Sequence, residues 1–384
     1  MTSLERLVED VKARVPEILR LTREWVEINS YTENVDGVNR VGARLREAFA
    51  LPSLTLRVES GAPRLGDHLF WSTAAAERGG AILLLGHHDT VFPPGHFEGW
   101  REENGRAHGP GCFDMKGGLA IVWGVLAALE GAGLLAGLPV VVGSVADEEI
   151  GSPDSKRHLE ALARGAGCAL VFESGRAADR IVTCRRGVGA VKVQVRGKAA
   201  HAGNAHKDGA NAIWSLARFV DAAQALTRYE RGLTVNVGTI RGGTSKNTVP
   251  EGAEAAVDLR FENADDARGL VDALKEAAAR VAVPGTEIVV EGGITRLPME
   301  KTPAGDTLYR EYAACQRAAG LGDGENPLVG GGSDANTVGG VGLAAIDGLG
   351  PRGAGFHTPG EYVELDSFAP KAEALARFLW GRLA

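Results

Sequence analysis

Ala81-Ile82-Leu83-Leu84-Leu85-Gly86-His87-His88-Asp89-Thr90 is the stretch from which the rest of the chain can be ordered. Its apolar residues run on without alternation after Gly79-Gly80, the pattern of a strand buried on both faces. Two histidines and an aspartate then emerge at its carboxyl end. In open α/β sheets ligands bind in the crevice beyond such strand ends. A single His-x-Asp is more often a structural hydrogen-bonded pair than a ligand, so the triplet gains weight from repetition. The apolar run 141–146 ends in Asp147-Glu148-Glu149, and the run 168–172 ends in Glu173.

A chain of 384 residues predicts about two or three domains, each able to bury a core. Hydrophobic residues at 44% and charged residues at 24% are ordinary for a soluble globular protein. The formal net charge of -7 argues against nucleic acid or an anionic membrane as partner and favours metal cations or neutral solutes. Residues 1–10 carry acids and no apolar signal core. The apolar runs 119–129 and 134–146 fall short of the roughly 18 residues that span a bilayer, so the cytoplasm is the expected compartment. Cys112, Cys168, Cys184 and Cys315 are scattered without a C-x-x-C pair, which indicates neither a disulfide framework nor a thiolate zinc site.

Helix-spaced apolar residues predict a helix over 3–28 with Ser3 as N-cap, and a second over 36–50 stopped by Pro52. Strands are expected at 54–59 and 68–72. Residues 90–118 read as a long polar loop, a kind that is usually functional or disordered. It ends in Gly109-Pro110-Gly111-Cys112-Phe113-Asp114-Met115-Lys116-Gly117-Gly118, ahead of an apolar helix over 119–129. This is no phosphate loop, because the order is Lys116-Gly117 and no Ser or Thr follows the lysine. A strand at 139–145, a helix from Ser152-Pro153 to 164 and a strand closing at 171–172 give an α/β pattern, with a mainly parallel sheet and helices on both faces. After Arg186-Gly187 the alternating segments 189–196, 233–240 and 254–261, with helices over 209–227 and 264–281, read as an α+β sandwich. The α/β character returns after Arg296-Leu297-Pro298, with helices over 306–319 and 367–383. The expected organisation is a catalytic domain in two parts, 1–185 and 296–384, carrying an inserted domain at 186–295.

At the strand ends His87, Asp89, Asp114, Glu148, Glu149 and Glu173 would meet, joined by His357 from Gly355-Phe356-His357-Thr358-Pro359-Gly360-Glu361. So many carboxylates in one crevice repel one another unless cations intervene. Imidazole and carboxylate without thiolate suit Zn²⁺, with Co²⁺, Mn²⁺ or Ni²⁺ as competitors. Charge counting favours two ions. Two Zn²⁺ balance three ligand carboxylates and a bridging hydroxide, and Glu148 is left for a separate task.

These ordered motifs resemble those of the co-catalytic di-zinc hydrolases, the superfamily of glutamate carboxypeptidase, aminoacylase, acetylornithine deacetylase, succinyl-diaminopimelate desuccinylase and peptidase T. The motifs that carry the likeness are His87-x-Asp89, Gly109-Pro110-Gly111 with Asp114 and Lys116-Gly117-Gly118, Asp147-Glu148-Glu149-x-Gly151-Ser152, Glu173 and His357. The likeness spans nearly the whole chain and is strongest to the glutamate carboxypeptidase branch. It implies a zinc-exopeptidase-like fold whose inserted domain serves as lid and dimerisation module. It implies that Asp114 bridges two metals, that His87 and Glu173 complete one site, and that Glu149 and His357 complete the other. Asp89 would hold the tautomer of His87, and a cis peptide would follow Asp114. Glu148 would be the general base, a role the chemistry supports independently, since a carboxylate beside an acidified water can take its proton and pass it to the leaving amine.

The resemblance extends to the inserted domain. Gly197-Lys198-Ala199-Ala200-His201-Ala202-Gly203 is similar to the segment whose histidine reaches a partner subunit's site and polarises the scissile carbonyl, which implies a homodimer. Asn247 and Arg296 match positions that hold the substrate's free carboxylate, although Leu297 stands where the family often has proline. Gly330-Gly331-Gly332-Ser333-Asp334 matches a loop that shapes the pocket.

The expected activity is therefore cleavage of an amide bond next to a free carboxylate, as a carboxypeptidase releasing a C-terminal amino acid such as glutamate. The alternative on the same scaffold is removal of an acetyl, succinyl or carbamoyl group from an N-acyl amino acid. A non-catalytic scaffold would show a missing ligand or a missing Glu148, and none is missing. No Gly-x-Ser-x-Gly elbow supports a serine hydrolase. His88 is expected to face away from the site, and His68, His96, His108, His158 and His206 to lie at the surface or in the core. Arg185-Arg186 suits substrate binding and a solvated strand end equally well.

Overall fold

The computed structural model describes residues 3–383. Within a six-stranded sheet the order is Thr55–Glu59, His68–Ser72, Val140–Val145, Ala81–His87, Ala166–Val171, Ala345–Ile346. Every residue of Ala81–His87 is buried, as a strand covered on both faces requires. It pairs in parallel with Val140–Val145 and with Ala166–Val171, opposing His87 to Val145 and Leu85 to Val171. The three strands therefore end side by side, and the acids that follow them emerge together.

Helix Gly117–Gly131 has no polar face, and its residues from Gly117 to Leu129 are all buried. With the preceding turn it forms a run, Cys112–Gly131, long and apolar enough to cross a membrane. It is 94% buried and serves as a core helix. Gly118 lets it press against the sheet, because a Cβ there would overlap the Phe172 carbonyl beside Glu173.

Several elements depart from the sequence reading. The first helix is two, Ser3–Ala13 and Val15–Val26, divided at Arg14 where Pro16 withholds an N–H. Ser152-Pro153 forms a turn with Ser152 at φ 55°, and the helix runs over Lys156–Ala163. Asp147 Oδ2 accepts from the N–H groups of Asp154 and Ser155 ahead of it. The stretch 90–118 is not structureless. Arg101–Glu103 and Arg106–His108 form a hairpin, and the second strand pairs with Tyr362–Glu364, which pairs with Gly353–Ala354. These strands are short and largely polar, so they carry no hydrophobic alternation to read.

The chain forms two compact units. Among the described residues, one comprises 3–184, 301–329 and 333–383, and the other 185–300 with 330–332. The second unit holds an antiparallel sheet in the order Thr234–Gly242, Gly252–Phe261, Gly187–Arg196, Glu287–Arg296. Val191, Val193 and Val195 alternate inward to a core shared with helices Ala212–Gln224 and Ala264–Val281. The strand Glu287–Arg296 was not expected, since Gly292-Gly293 interrupt its pattern. Gly292 adopts φ 105°, a conformation that favours glycine.

Candidate metal centre

His87 leaves the end of its strand fully buried. Its Nδ1 lies 3.1 Å from the Asp89 carbonyl oxygen, so in the neutral ring Nδ1–H donates and Nε2 keeps its lone pair. That Nε2 stands 3.2 Å from Asp114 Oδ1 and 3.7 Å from Glu173 Oε1. Asp114 sits in the turn Cys112–Lys116, entered through Gly111 at φ 74° and closed by Lys116 N–H donating to the Gly111 carbonyl. The Asp114–Met115 peptide is cis.

The other carboxylate oxygen of Asp114 faces a second histidine. Its Oδ2 is 3.3 Å from His357 Nε2, which is 3.1 Å from Glu149 Oε2. One carboxylate thus points one oxygen at each imidazole. Ligand-capable atoms of His87, Asp114 and Glu149 lie within 4.8 Å of one another, as do those of His87, Glu148 and Glu173.

The Asp89 carboxylate, its Oδ1 3.4 Å from His87 Nδ1, has other partners besides. Its Oδ2 accepts from Thr32 Oγ at 2.7 Å and from the Glu149 N–H at 3.3 Å, and its Oδ1 accepts from the Glu148 N–H at 3.2 Å. It therefore positions the Glu148-Glu149 backbone as well as flanking His87. Thr32 carried no motif signal. Lys116 was quoted only as part of a motif, and it is fully buried with Nζ donating to the Trp25 and Ile28 carbonyls at 3.0 and 3.2 Å. Glu361, four residues beyond His357, is also fully buried against the Asp114 turn.

The crowded, buried acids and imidazoles of this cluster shift one another's titration. Burial and then the Asp114 charge hold the carboxyls of Glu149 and Glu173 above their ordinary range. Burial works against the charged form of His87, but Glu173, Asp114 and Asp89 outweigh it and raise the imidazole well above 6.5. Hydrogen bonds to Asp114 and Glu149 raise His357 as well. Glu173 Oε1 is buried and, among the described residues, has no hydrogen-bond partner. The donor set and this orphaned oxygen fit divalent metal. His88 bonds Ser144 Oγ at 2.9 Å, and burial lowers it to about 3, which keeps it neutral and out of the cluster.

His201, Asn247 and Arg296 belong to the second unit. The short strand Ala200–His201 pairs with Thr248–Val249, and Ala202 N–H donates to the Asn247 carbonyl at 2.9 Å, which brings His201 and Asn247 together. His201 Nδ1 accepts from the N–H groups of Gly203 and Asn204, both at 3.1 Å, so its proton resides on Nε2. Arg296 is buried at the end of its strand, opposite Val188.

Comparison with known proteins places the chain in a lineage. A family model for a peptidase dimerisation domain matches residues 183–286. Carboxypeptidase G2 of Pseudomonas sp. (strain RS-16) is 28% identical over 370 residues, covering 95% of this chain and 89% of the relative. Succinyl-diaminopimelate desuccinylase of Acidiphilium cryptum is 30% identical over 296 residues, covering 69% and 73%. The crystal structure of an M20 family metallo-carboxypeptidase from Sulfolobus solfataricus shares the fold with a TM-score of 0.71 at 19% identity, covering 94% of this chain and 98% of that one. Identity at this level over nearly three quarters of a relative, joined to a fold shared along almost the whole chain, makes this protein a member of the M20 peptidase family.

Proposed function

We propose that the chain is a di-zinc carboxypeptidase that hydrolyses an amide bond next to a free carboxylate and releases a C-terminal amino acid such as glutamate. The observation that carries this reading is Asp114, whose two oxygens face His87 and His357 at 3.2 and 3.3 Å. His87, Asp114 and Glu173 would hold one ion, and Asp114, Glu149 and His357 the other, with Co²⁺ or Mn²⁺ able to substitute. When bound, the pair would supply an acidified water and a Lewis acid for the scissile carbonyl.

The chain's own residues do the rest. Glu148, held at its backbone by Asp89, takes the proton of the attacking water and returns it to the leaving nitrogen. His201 offers Nε2–H to the scissile carbonyl oxygen in the partner subunit's site as negative charge develops there. Arg296 and Asn247 receive the substrate carboxylate, for which a guanidinium fork is suited. A homodimer forms through the second unit, where the edge strand Thr234–Gly242 exposes Ile240 and the neighbouring helix exposes Ile213 and Trp214.

The test is metal stoichiometry together with hydrolysis of a panel of dipeptides and N-acyl amino acids, with and without chelator. Close to two equivalents of metal and chelator-sensitive release of a C-terminal amino acid are expected. The likeness to a desuccinylase favours a second reading, an N-acyl-amino-acid deacylase, which would cleave N-succinyl or N-acetyl substrates and leave dipeptides intact.

A further inference from the structure

Glu361 is a fully buried acid that the reaction above does not use. Its Oε1 accepts from the Phe113 N–H at 2.8 Å and from the Asp114 N–H at 3.0 Å, so the carboxylate caps the turn that presents Asp114. Its Oε2 is buried and has no hydrogen-bond partner among the described residues. A buried carboxylate is costly unless its bonds are needed where it lies. The ammonium of Lys116 acts on it electrostatically and is itself fixed on backbone carbonyls.

The place of Glu361 in the chain gives those bonds their meaning. It closes the loop that carries His357. Thr358 N–H donates to the Gly355 carbonyl, Glu361 N–H donates to the Thr358 carbonyl, and Gly360 N–H donates to Thr358 Oγ. His357 rides at the crown of this loop with φ 62°. The carboxylate of Glu361 reaches from the base of the loop to the amides of Phe113 and Asp114, 247 or more residues away in sequence. His87, by contrast, closes a strand paired up to Val145, and Glu173 follows the strand Ala166–Val171 by two residues.

We infer that Glu361 is a positioning residue that locks the His357 loop to the Asp114 turn and thereby sets the affinity of the ion held by His357, Glu149 and Asp114. The inference rests on the two-metal reading above. It concerns reach and hydrogen-bond acceptance at Oε1, so a glutamine serves in place of the glutamate and an aspartate, one methylene short, does not. Removing such an outer partner of a metal ligand costs roughly 10- to 100-fold in metal affinity.

The test is competition of Zn²⁺ with a chromophoric chelator on the purified full chain, comparing wild type with Glu361→Gln, Glu361→Asp and Glu361→Ala, each checked for a cooperative unfolding transition. Wild type and Glu361→Gln are expected to bind two ions with similar affinities. Glu361→Asp and Glu361→Ala are expected to keep one ion at its wild-type affinity and to lose about tenfold or more on the other. If the Ala variant does not fold, the Gln and Asp pair decides the matter. Equal binding by all folded variants, or equal weakening of both ions, overturns the positioning role and leaves the two-metal reading intact. Rescue by Asp but not by Gln overturns it too, because charge would then be what counts. A wild-type chain that binds no ion overturns the parent reading and this inference with it.

Discussion

Glu148 and Glu149 are adjacent acids with different surroundings. Glu149 Oε2 faces His357, whereas Glu148 joins His87 and Glu173, and Asp89 accepts from both backbone N–H groups. Replacing Glu148 by Gln is expected to lower kcat by about 10²- to 10⁴-fold, the usual contribution of a general base, while metal stoichiometry stays that of wild type. Full activity in a metal-loaded Glu148→Gln variant would rule out this base. The same crevice predicts how the metal-free chain responds to pH. Burial, and after it Asp114, pushes the Glu361 carboxyl from 4.5 up to about 8, and Glu149 and Glu173 are raised in the same direction. An acid with a raised pKa in the folded state binds protons there that the unfolded chain has released, so folding loses support as pH rises. His87 and His357, also raised, begin to lose their contribution above about pH 6.5, and for His357 the loss extends to about 10. Stability of the chelated protein, followed by urea midpoint, is therefore expected to decline between about pH 4.5 and 8. Saturating Zn²⁺ is expected to flatten or reverse that slope, because metal takes the place of the protons.

The strand that delivers His87 is where packing supports chemistry. Leu84 lies fully buried at its middle, so Leu84→Ala is expected to cost about 2 to 5 kcal/mol in unfolding free energy. A loss well below 1 kcal/mol in a denaturant titration would contradict the packing described. This strand was the most legible part of the sequence, because an unbroken apolar run leaves few alternatives to a parallel core strand. That His87, Glu148 and Glu173 meet was legible for a related reason, since each follows an apolar run that reads as a core strand. Elements held by polar contacts were not legible. Arg101–Glu103 and Arg106–His108 present no hydrophobic period, and their place depends on pairing with Tyr362–Glu364, more than 250 residues later. Thr32 and the second role of Asp89 escaped for the same reason, because a hydrogen bond across 57 residues leaves no local trace.

For the molecule as a whole, two properties should be measurable without knowledge of the substrate. Metal that binds only the folded state stabilises it by mass action, about 2.7 kcal/mol at a hundredfold excess over Kd. Chelation is thus expected to lower Tm by several degrees and re-addition of Zn²⁺ to restore it. No change on chelation would count against an ion in this crevice. The second property is assembly. Trp214→Asp combined with Ile240→Asp places charge on the exposed apolar residues beside the edge strand of the second unit. Sedimentation is expected to report a dimer for wild type and a monomer for the double variant. A wild-type monomer would remove the proposed assembly.

Asp114 divides its oxygens between histidines at positions 87 and 357, and Glu361 fastens the later one in place. Chain order therefore acts as a clock during synthesis. While a ribosome is still extending the chain, the paired strands, His87 and Glu148 can all be present, yet one imidazole is missing until position 357 has cleared the exit tunnel. A chain cut short before position 357 therefore lacks one of the two imidazoles that face Asp114.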